Sequence, residues 1–488
     1  MLQPWGRANR TFVSIKLELQ MNIEQIYTGC LAQGAYFIQS GNEAAIIDPL
    51  REVDKYIKKA EENGAKIKYI FETHFHADFV SGHVDLARKT GATIIFGPTA
   101  KTEFDCHVGS DGELFDVGDV KIKLLHTPGH TMESSTYLLF DESDKEVAIF
   151  SGDTLFIGDV GRPDLAIKSD LTQEDLAGYL YDSLREKIMT LSDDVIVYPA
   201  HGAGSACGKN MSKETWDTLG NQKKVNYALR NDMTKGEFVK EVTDGILPPP
   251  QYFAKNAMMN KAGYDSIDDV LEKGQVALDV ETFEAMANHE GAMVLDTRHQ
   301  SKFLKSHIPN SIFIGLDGDF APWVGSLITD LKQPIILVVE PGREKEAVTR
   351  LSRVGYDNTL GYLDVGFESW MSAKKEIESI NSINANQLES VLSKEINLID
   401  VRKPTEYEAE HVDGAISFPL DFINSNMDKI DPEKSYMIHC AGGYRSVIAE
   451  SILKSRGIHN LTDILGGFGA ISKTGIETTD YICPSKTK

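Results

Sequence analysis

Long apolar runs are missing from this 488-residue chain. The longest, such as residues 334–339, fall far short of the ~20 residues that cross a bilayer, so no membrane span is expected. Residues 1–20 carry Arg7, Arg10 and Lys16 but lack the ~7–15-residue apolar segment of a secretory signal. They are expected to form an extension outside the fold, with a transit peptide as the alternative. Cysteine is scarce. Five residues, Cys30, Cys106, Cys207, Cys440 and Cys483, are odd in number and scattered, which excludes a disulfide framework and points to a reducing, cytoplasmic setting. Positive charge is in deficit, with 50 Lys and Arg against 73 Asp and Glu and a formal net charge of −23. Such a surface repels phosphate backbones, and no dense basic cluster offsets it, so nucleic acid is not an expected partner.

What is present is ordinary globular composition, 41% hydrophobic and 25% charged. At roughly 100–200 residues per domain, that length favours three or four domains. From residue 22 to about 198, short β-rich runs at 44–47, 66–71, 92–96, 120–125, 147–150 and 195–198 alternate with helical spacing at 53–63 and after Gly82. Strands with polar, glycine-bearing ends and few helices between them predict an α/β sandwich with a site at the strand ends. Pro248-Pro249-Pro250 stops helix and strand alike and opens a tail. The first domain is therefore placed at 21–263 and a linker at 264–275.

The last two hundred residues repeat themselves. Val294-Leu295-Asp296-Thr297-Arg298 recurs as Leu398-Ile399-Asp400-Val401-Arg402, and the stretch from His307 recurs from His411. Asp296 to Asp400, Arg298 to Arg402 and His307 to His411 share one offset of 104 residues. Solenoid repeats run ~20–50 residues, so this period marks a duplicated domain, placed at 276–378 and 382–488. Each copy alternates strand and helix, as a compact parallel-sheet domain does.

Four groups of potential metal ligands follow strands. Thr73-His74-Phe75-His76-Ala77-Asp78 packs two imidazoles and a carboxylate into one turn. His126-Thr127-Pro128-Gly129-His130, Ser151-Gly152-Asp153 and Tyr198-Pro199-Ala200-His201 end three further strands. A lone histidine in such a place is usually structural. Four groups beside Gly or Pro at converging strand ends are the way a metal centre is built. These residues resemble the metallo-β-lactamase superfamily, whose motif His-x-His-x-Asp-His is followed by a later His, a bridging Asp and a last His. Where the motif ends in His this chain has Phe79, which has no lone pair to give, so a mononuclear site fits better than a dinuclear one.

Within that superfamily the chain is similar to the persulfide dioxygenases, through His74 to Asp78, Pro128-Gly129-His130-Thr131, Gly152-Asp153, Gly161-Arg162 and Tyr198-Pro199-Ala200-His201. The resemblance spans residues 21–263 and implies an αββα sandwich with one Fe(II) per chain held by His74, His130 and Asp153. His76, Asp78 and His201 then become residues behind the ligands or relics of a second metal site. A zinc reading takes His74, His76 and His130 instead. Arg162 and Asp164 lie in the loop that helps hold the thiol carrier in related enzymes, where an arginine suits an anionic persulfide. The alternative for that pair is a plain surface ion pair. Cys207 and Cys30 lie in loops after His201 and the first strand and are expected to be passive, with a sulfur-accepting or redox role as the alternative.

Residues 436–439 read as a buried strand, followed by Cys440-Ala441-Gly442-Gly443-Tyr444-Arg445-Ser446 and a helix from about 447 to 455. A cysteine before a glycine-rich turn at a helix N-terminus collects inward N–H groups from Gly442 and Gly443, which with Arg445 stabilise a thiolate or bound sulfur anion. The loop resembles that of rhodaneses, and Asp400-Val401-Arg402, Glu406-Tyr407, Glu410 to Ala415 and Gly466-Gly467-Phe468 agree with it. A tyrosine phosphatase places five residues between its Cys and Arg. Here there are four, a shorter loop that suits a sulfur atom. The first copy reads Val339-Glu340-Pro341-Gly342-Arg343, with Glu340 expected where Cys440 stands in the second, and is expected to carry no sulfur.

Together these resemblances imply oxidation of a thiol persulfide by O2 to sulfite, with Cys440 interconverting sulfite plus persulfide and thiosulfate. The carrier is of glutathione, coenzyme A, bacillithiol or cysteine type, and a homo-oligomer is expected. The alternatives are a dinuclear thioester hydrolase resembling glyoxalase II and a non-enzymatic sulfur-relay or sensing scaffold.

Overall fold

The computed structural model describes residues 21–166, 171–392 and 397–482. The N-terminal extension and Cys483 lie outside them. Two six-stranded sheets make the first part of the chain. One runs, neighbour to neighbour, through Asn22–Thr28, Gln33–Ser40, Glu43–Ile47, Lys66–Phe71, Thr93–Phe96 and His107–Val108. The other runs Asp217–Thr218, Ile196–Pro199, Glu146–Gly152, Ser135–Phe140, Val120–His126 and Leu114–Val117. Alternating side chains from both sheets, among them Tyr36, Ile38, Phe71, Phe115, Tyr137 and Phe150, interlock in the core between them. The opposite face of the first sheet buries Phe37 and Ile46 against Tyr56 of the helix Asp54–Glu62 and Leu86 of the helix His83–Thr90. The second sheet buries Ile149 and Val197 against Ala177 and Leu180 of Gln173–Ser183. That helix starts in a capping box, with Thr172 and Asp175 each satisfying the other's backbone N–H. The architecture is the expected αββα sandwich.

Two smaller sheets follow, each of five strands joined only in parallel. The first is ordered Ala277–Leu278, Thr359–Leu363, Ile335–Val338, Met293–Asp296 and Ile312–Phe313. The second is ordered Asn381–Asn384, Leu461–Leu465, Tyr436–His439, Asn397–Asp400 and Ile416–Ser417. The repeated sequence has a repeated physical job. Asp296 receives Arg298 at 2.6 Å and Asp400 receives Arg402 at 2.6 Å. Each guanidinium lies over an aromatic ring, Phe367 at 3.9 Å and Phe468 at 4.0 Å. Phe303 stacks on His307 in one copy, and Tyr407 on His411 in the other.

The sheet register corrects one expectation. Asp296 pairs with Val338 while Asp400 pairs with His439, so the residue matching Cys440 is the buried Val339, not Glu340. Glu340 is turned outward and meets Lys302 at 2.8 Å. On this register the two loops have equal length, and Gly342 (φ +90°) matches Gly443 (φ +98°).

The stretch read as a linker contains the helix Ile267–Gly274, which buries Ile267 and Val270. It packs on the helix Glu344–Ser352, and a Cβ on Gly274 would stand 2.6 Å from Val348. The cysteine-free copy also grips the sandwich. Arg51, wholly buried, meets Asp357 through bonds of 2.6 and 2.8 Å and donates to the Asp265 and Ser352 carbonyls. Arg353 pairs with Glu52, and its carbonyl accepts the Val80 N–H at 2.7 Å. No helix among the described residues is long and apolar enough to cross a membrane.

Candidate metal centre and cysteine loop

Four strand ends deliver the histidines and aspartates. His74, His76 and Asp78 follow Lys66–Phe71, His130 follows Val120–His126, Asp153 follows Glu146–Gly152, and His201 follows Ile196–Pro199. All six are buried. Glycine is needed at two points. Gly129 has φ +147° and packs so closely on Leu180 that a Cβ would stand 2.4 Å from its Cα. A Cβ on Gly161 would stand 2.0 Å from the Asp153 carbonyl and 3.0 Å from His130 Nδ1.

The donor atoms of His74, His130 and Asp153 all lie within 4.8 Å of one another. His130 Nδ1–H donates to the Arg162 carbonyl at 2.9 Å, which turns Nε2 inward without a hydrogen-bond partner. His74 Nδ1 lies 3.0 Å from the Thr73 hydroxyl, which donates to Asp48 at 2.9 Å. Both carboxylate oxygens of Asp153 lack a hydrogen-bond partner among the described residues. Burial and the neighbouring imidazoles of His76, His130 and His201 hold the His74 pKa well below the usual histidine value, so it presents a neutral ring. Buried, unpaired, oriented donors of this kind fit a bound metal ion.

His76, Asp78 and His201 form an adjacent group within the same 4.8 Å limit. His201 Nε2 is 3.5 Å from Asp78 and 3.6 Å from Asp153. Burial opposes charge on His201, but Asp78 and Asp153 outweigh it and raise its pKa to about 10. His76 is held from elsewhere. Its Nε2 lies 3.0 Å from Asp48 and 3.5 Å from Glu72, and its ring stacks on Phe79 at 4.3 Å. Sequence reasoning missed Asp48 and Glu72. The only signal for Asp48 was an acidic residue closing an apolar run before Pro49.

Arg162 and Asp164 face each other in a two-pronged pair of 2.6 and 2.7 Å. Arg162 also donates to the carbonyls of Ala206 and Leu247, tying its loop to two others, and its own carbonyl is what reaches the metal centre. Cys207 is buried with its sulfur within 4.8 Å of donor atoms on Asp153 and His201. Burial, with Asp78 and Asp153 adding to it, pushes that thiol pKa well up. Cys30 accepts from Arg353 Nη1 at 3.3 Å.

In the second small sheet, Cys440 follows Tyr436–His439 and is buried. The Gly443 N–H donates to its sulfur at 3.0 Å, at the start of the helix Arg445–Ser455. Gly442 lies in the same turn, and its Cβ position is open space. Arg445 is bound by both oxygens of Glu406, at 2.6 and 2.9 Å. Gly467 lets the next helix press on the loop, where a Cβ would stand 2.3 Å from the Cys440 carbonyl. That carbonyl accepts the Phe468 N–H at 2.7 Å.

A two-sheet sandwich with a histidine–aspartate centre at its strand ends, followed by two parallel-sheet domains of which one presents a cysteine loop, defines a fused metal- and sulfur-handling architecture. Residues 28–201 match the metallo-beta-lactamase superfamily, and residues 279–373 and 384–474 each match the rhodanese-like domain. The mitochondrial persulfide dioxygenase ETHE1 of Homo sapiens is 31% identical over 216 residues, which cover 44% of this chain and 76% of that protein. The hydroxyacylglutathione hydrolase GloC of Haemophilus influenzae is 30% identical over 212 residues, covering 39% of this chain and 94% of that one. A crystal structure of a metallo-beta-lactamase from Staphylococcus aureus superposes with a TM-score of 0.61 at 31% identity, covering 70% of this chain and 98% of that chain. The chain belongs to the metallo-beta-lactamase superfamily and carries tandem rhodanese-like domains.

Proposed function

We propose that the protein is a non-haem Fe(II) persulfide dioxygenase with one iron per chain, joined to a rhodanese-type sulfurtransferase. The observation that carries this reading is the trio His74, His130 and Asp153, whose donor atoms converge within 4.8 Å. Two imidazoles and one carboxylate are the ligand set of non-haem Fe(II) oxygenases. Phe79 supports it by filling the place of a second-site histidine, fully buried and stacked on His76. The similarity to a protein named persulfide dioxygenase points the same way. Iron bound there supplies the one-electron chemistry that lets O2 react with a persulfide sulfur. The chain's own part is orientation. The Arg162 carbonyl and Thr73 fix the rings of His130 and His74, while Phe79 and Phe156 meet the His201 ring edge-on.

The reaction is RSSH + O2 + H2O giving RSH and sulfite. Cys440 takes the outer sulfur of a second persulfide and passes it to sulfite, so that RSSH and sulfite give RSH and thiosulfate, or the reverse. Gly442 and Gly443 cradle the sulfur, and Arg445, held by Glu406, adds positive charge beside it. The carrier RSH is of glutathione, coenzyme A, bacillithiol or cysteine type, and the purpose is sulfide detoxification. Free thiols at Cys30, Cys106, Cys207 and Cys440 support a reducing compartment, which we take to be the cytoplasm. Joining the two sites in one chain raises the effective concentration of sulfite at Cys440.

The test is metal content of protein purified without chelator, with oxygen uptake and sulfur products followed on a synthetic persulfide. About one iron per chain, oxygen uptake, and a Cys440→Ser variant that consumes oxygen but stops at sulfite are expected. Two zinc ions without oxygen uptake would instead favour the thioester hydrolase, a reading to which the likeness to GloC lends weight. A Cys440→Ser variant still making thiosulfate at the wild-type rate would separate the two sites.

A further inference from the structure

Beneath the cysteine loop lies a group of side chains with no part in the chemistry so far. Ser446 and Glu450 sit one turn apart on the helix Arg445–Ser455, and Asp463 sits on the strand Leu461–Leu465. All three are fully buried. The Cys440 thiol donates to the Ser446 hydroxyl at 3.7 Å. Ser446 in turn lies beside Asp463, without an aligned hydrogen bond. All four carboxylate oxygens of Glu450 and Asp463 lack a hydrogen-bond partner among the described residues.

Two unpaired carboxyl groups in a protein interior are costly, and a fold that keeps them needs a reason. Burial, with the charge of Asp463 adding to it, holds the Glu450 pKa well above the usual carboxylate range, so the group keeps a proton in the folded protein. The duplicated domain provides an internal control. On the sheet register that matches Val339 to Cys440, Leu337 pairs with Tyr362 as Ile438 pairs with Asp463, which puts Tyr362 at the place of Asp463. Counting from Gly342, Lys345 and Thr349 stand at the places of Ser446 and Glu450. The copy that lacks the cysteine also lacks both carboxyl groups and the serine.

We propose that Ser446, Glu450 and Asp463 form a proton relay for Cys440, in which the thiol proton passes through the Ser446 hydroxyl to the carboxyl pair while Cys440 carries sulfur. The inference rests on the sulfurtransferase reading of Cys440. In the first half-reaction the Cys440 proton moves to the pair, the new thiolate bonds to the outer sulfur of RS–SH, the substrate S–S bond breaks, and RS⁻ leaves and takes a proton from water. In the second, sulfite bonds to that sulfur, the Cys440 S–S bond breaks, and the sulfur's own proton is released. The Cys440 thiolate then recovers its proton from the pair. No net electrons are gained or lost, since one sulfur atom is handed on at constant oxidation level.

The surroundings suit this role. Burial raises the Asp463 pKa to about 6, with the Ser446 hydroxyl holding it back, so the group is ready to accept near neutral pH. Burial, then Asp463 and Cys440, push Glu450 well above the usual carboxylate range, against Lys454 on the same helix. Arg445 above the loop is neutralised by Glu406 and sees Asp421 beyond it. His439, on the adjoining strand, faces Asp400 at 3.9 Å, and burial lowers its pKa.

The experiment uses the full metal-loaded protein, with thiosulfate as sulfur donor. Loading of Cys440 is followed by mass spectrometry and sulfite release across pH 5–9. The wild type is expected to show an acid limb near pH 6. Asp463→Asn and Ser446→Ala are expected to lose that limb and to load sulfur roughly tenfold or more slowly at pH 7, with Glu450→Gln affected in the same direction. Asp463→Asn and Glu450→Gln are expected to keep or raise the Tm, because an amide costs less to bury than an unpaired charge. A purely structural role predicts the opposite, lower Tm with an unchanged pH profile. Wild-type loading rates and pH limb in both Asp463→Asn and Ser446→Ala would overturn the relay. Should Asp463→Asn fail to fold, Ser446→Ala alone decides, since it removes one oxygen. A wild type that accepts no sulfur on Cys440 from thiosulfate or a synthetic persulfide would defeat the sulfurtransferase reading itself, a different result.

Discussion

Arg162 shows how a residue's chemistry is settled by what already holds it. Its type and place in a loop after the metal-site aspartate suggested a contact to an anionic carrier. In the fold its side chain is spent on Asp164 and two carbonyls, while its main chain orients His130. Loss of such an orienting partner typically lowers metal affinity ~10–100-fold, and Arg162→Ala keeps the carbonyl but removes the side-chain anchors that hold it in place. Arg162→Ala is therefore expected to lose metal to a competing chelator about that much faster, with the KM for persulfide changed far less. A large rise in KM with metal retention intact would return Arg162 to the carrier. The six ligand-type residues were legible because they follow strands, three of them packed into one turn and the other three each beside a glycine. The grip of Asp48 and Glu72 on His76 was not, because nothing in the order of residues says which way an imidazole turns. Glu340 misled for a related reason. A loop without its cysteine has no landmark, and only hydrogen-bonded register shows that Val339 takes the place.

Among the elements, the helix Arg445–Ser455 and the strand Leu461–Leu465 carry opposite demands. Packing of Val447, Ile448, Ile452 and Leu453 stabilises them, whereas Glu450 and Asp463 put carboxyl groups into the same interior. The sign of the pH effect follows from the raised pKa of Asp463. The folded state favours the protonated group, so its contribution is fully present below the ordinary value of 3.8 and is lost as pH rises through about 6. The midpoint of urea unfolding, followed by exposure of Cys440 to a thiol reagent, should therefore favour Asp463→Asn over wild type increasingly between pH 4 and pH 7. Parallel curves for the two proteins would mean that Asp463 titrates as it does in the unfolded chain. The buried strand, the loop and the helix were all readable from periodicity and glycine. The carboxyl pair was not, since a Glu inside a helical pattern and an Asp inside a strand look like solvent-facing residues until burial is known. The helix Ile267–Gly274 escaped for the complementary reason, since its buried residues are matched by a surface far along the chain, on the helix Glu344–Ser352.

At the scale of the whole molecule, the cysteine-free copy touches both candidate sites. Towards the sandwich it supplies Asp357 to Arg51, and the Arg353 carbonyl to Val80, two residues after Asp78. Towards the last domain it receives Tyr444, the residue between Gly443 and Arg445 in the cysteine loop. The Tyr444 hydroxyl donates to the Gly315 carbonyl at 2.7 Å, and its ring meets Phe313 edge-on at 5.9 Å. Gly318 lies so close to that ring that a Cβ would come within 2.4 Å of it. Arg350 holds the receiving turn by donating to the carbonyls of Leu316 and Gly318, and the Phe313 N–H donates to the Ser451 hydroxyl at 3.0 Å. The copy without a cysteine in this loop thus fixes the loop of the copy that has one. Overpacking a contact of this kind costs ~1–3 kcal/mol, which the loop can relieve only by moving Tyr444 and with it the Gly443 N–H that faces Cys440. On the proposed function, Gly318→Ala should accordingly leave metal content and oxygen uptake at wild-type levels while sulfur loading of Cys440 slows and sulfite accumulates at the expense of thiosulfate. Equal thiosulfate yield in Gly318→Ala and wild type, with both folded, would show that the copy serves only as a spacer.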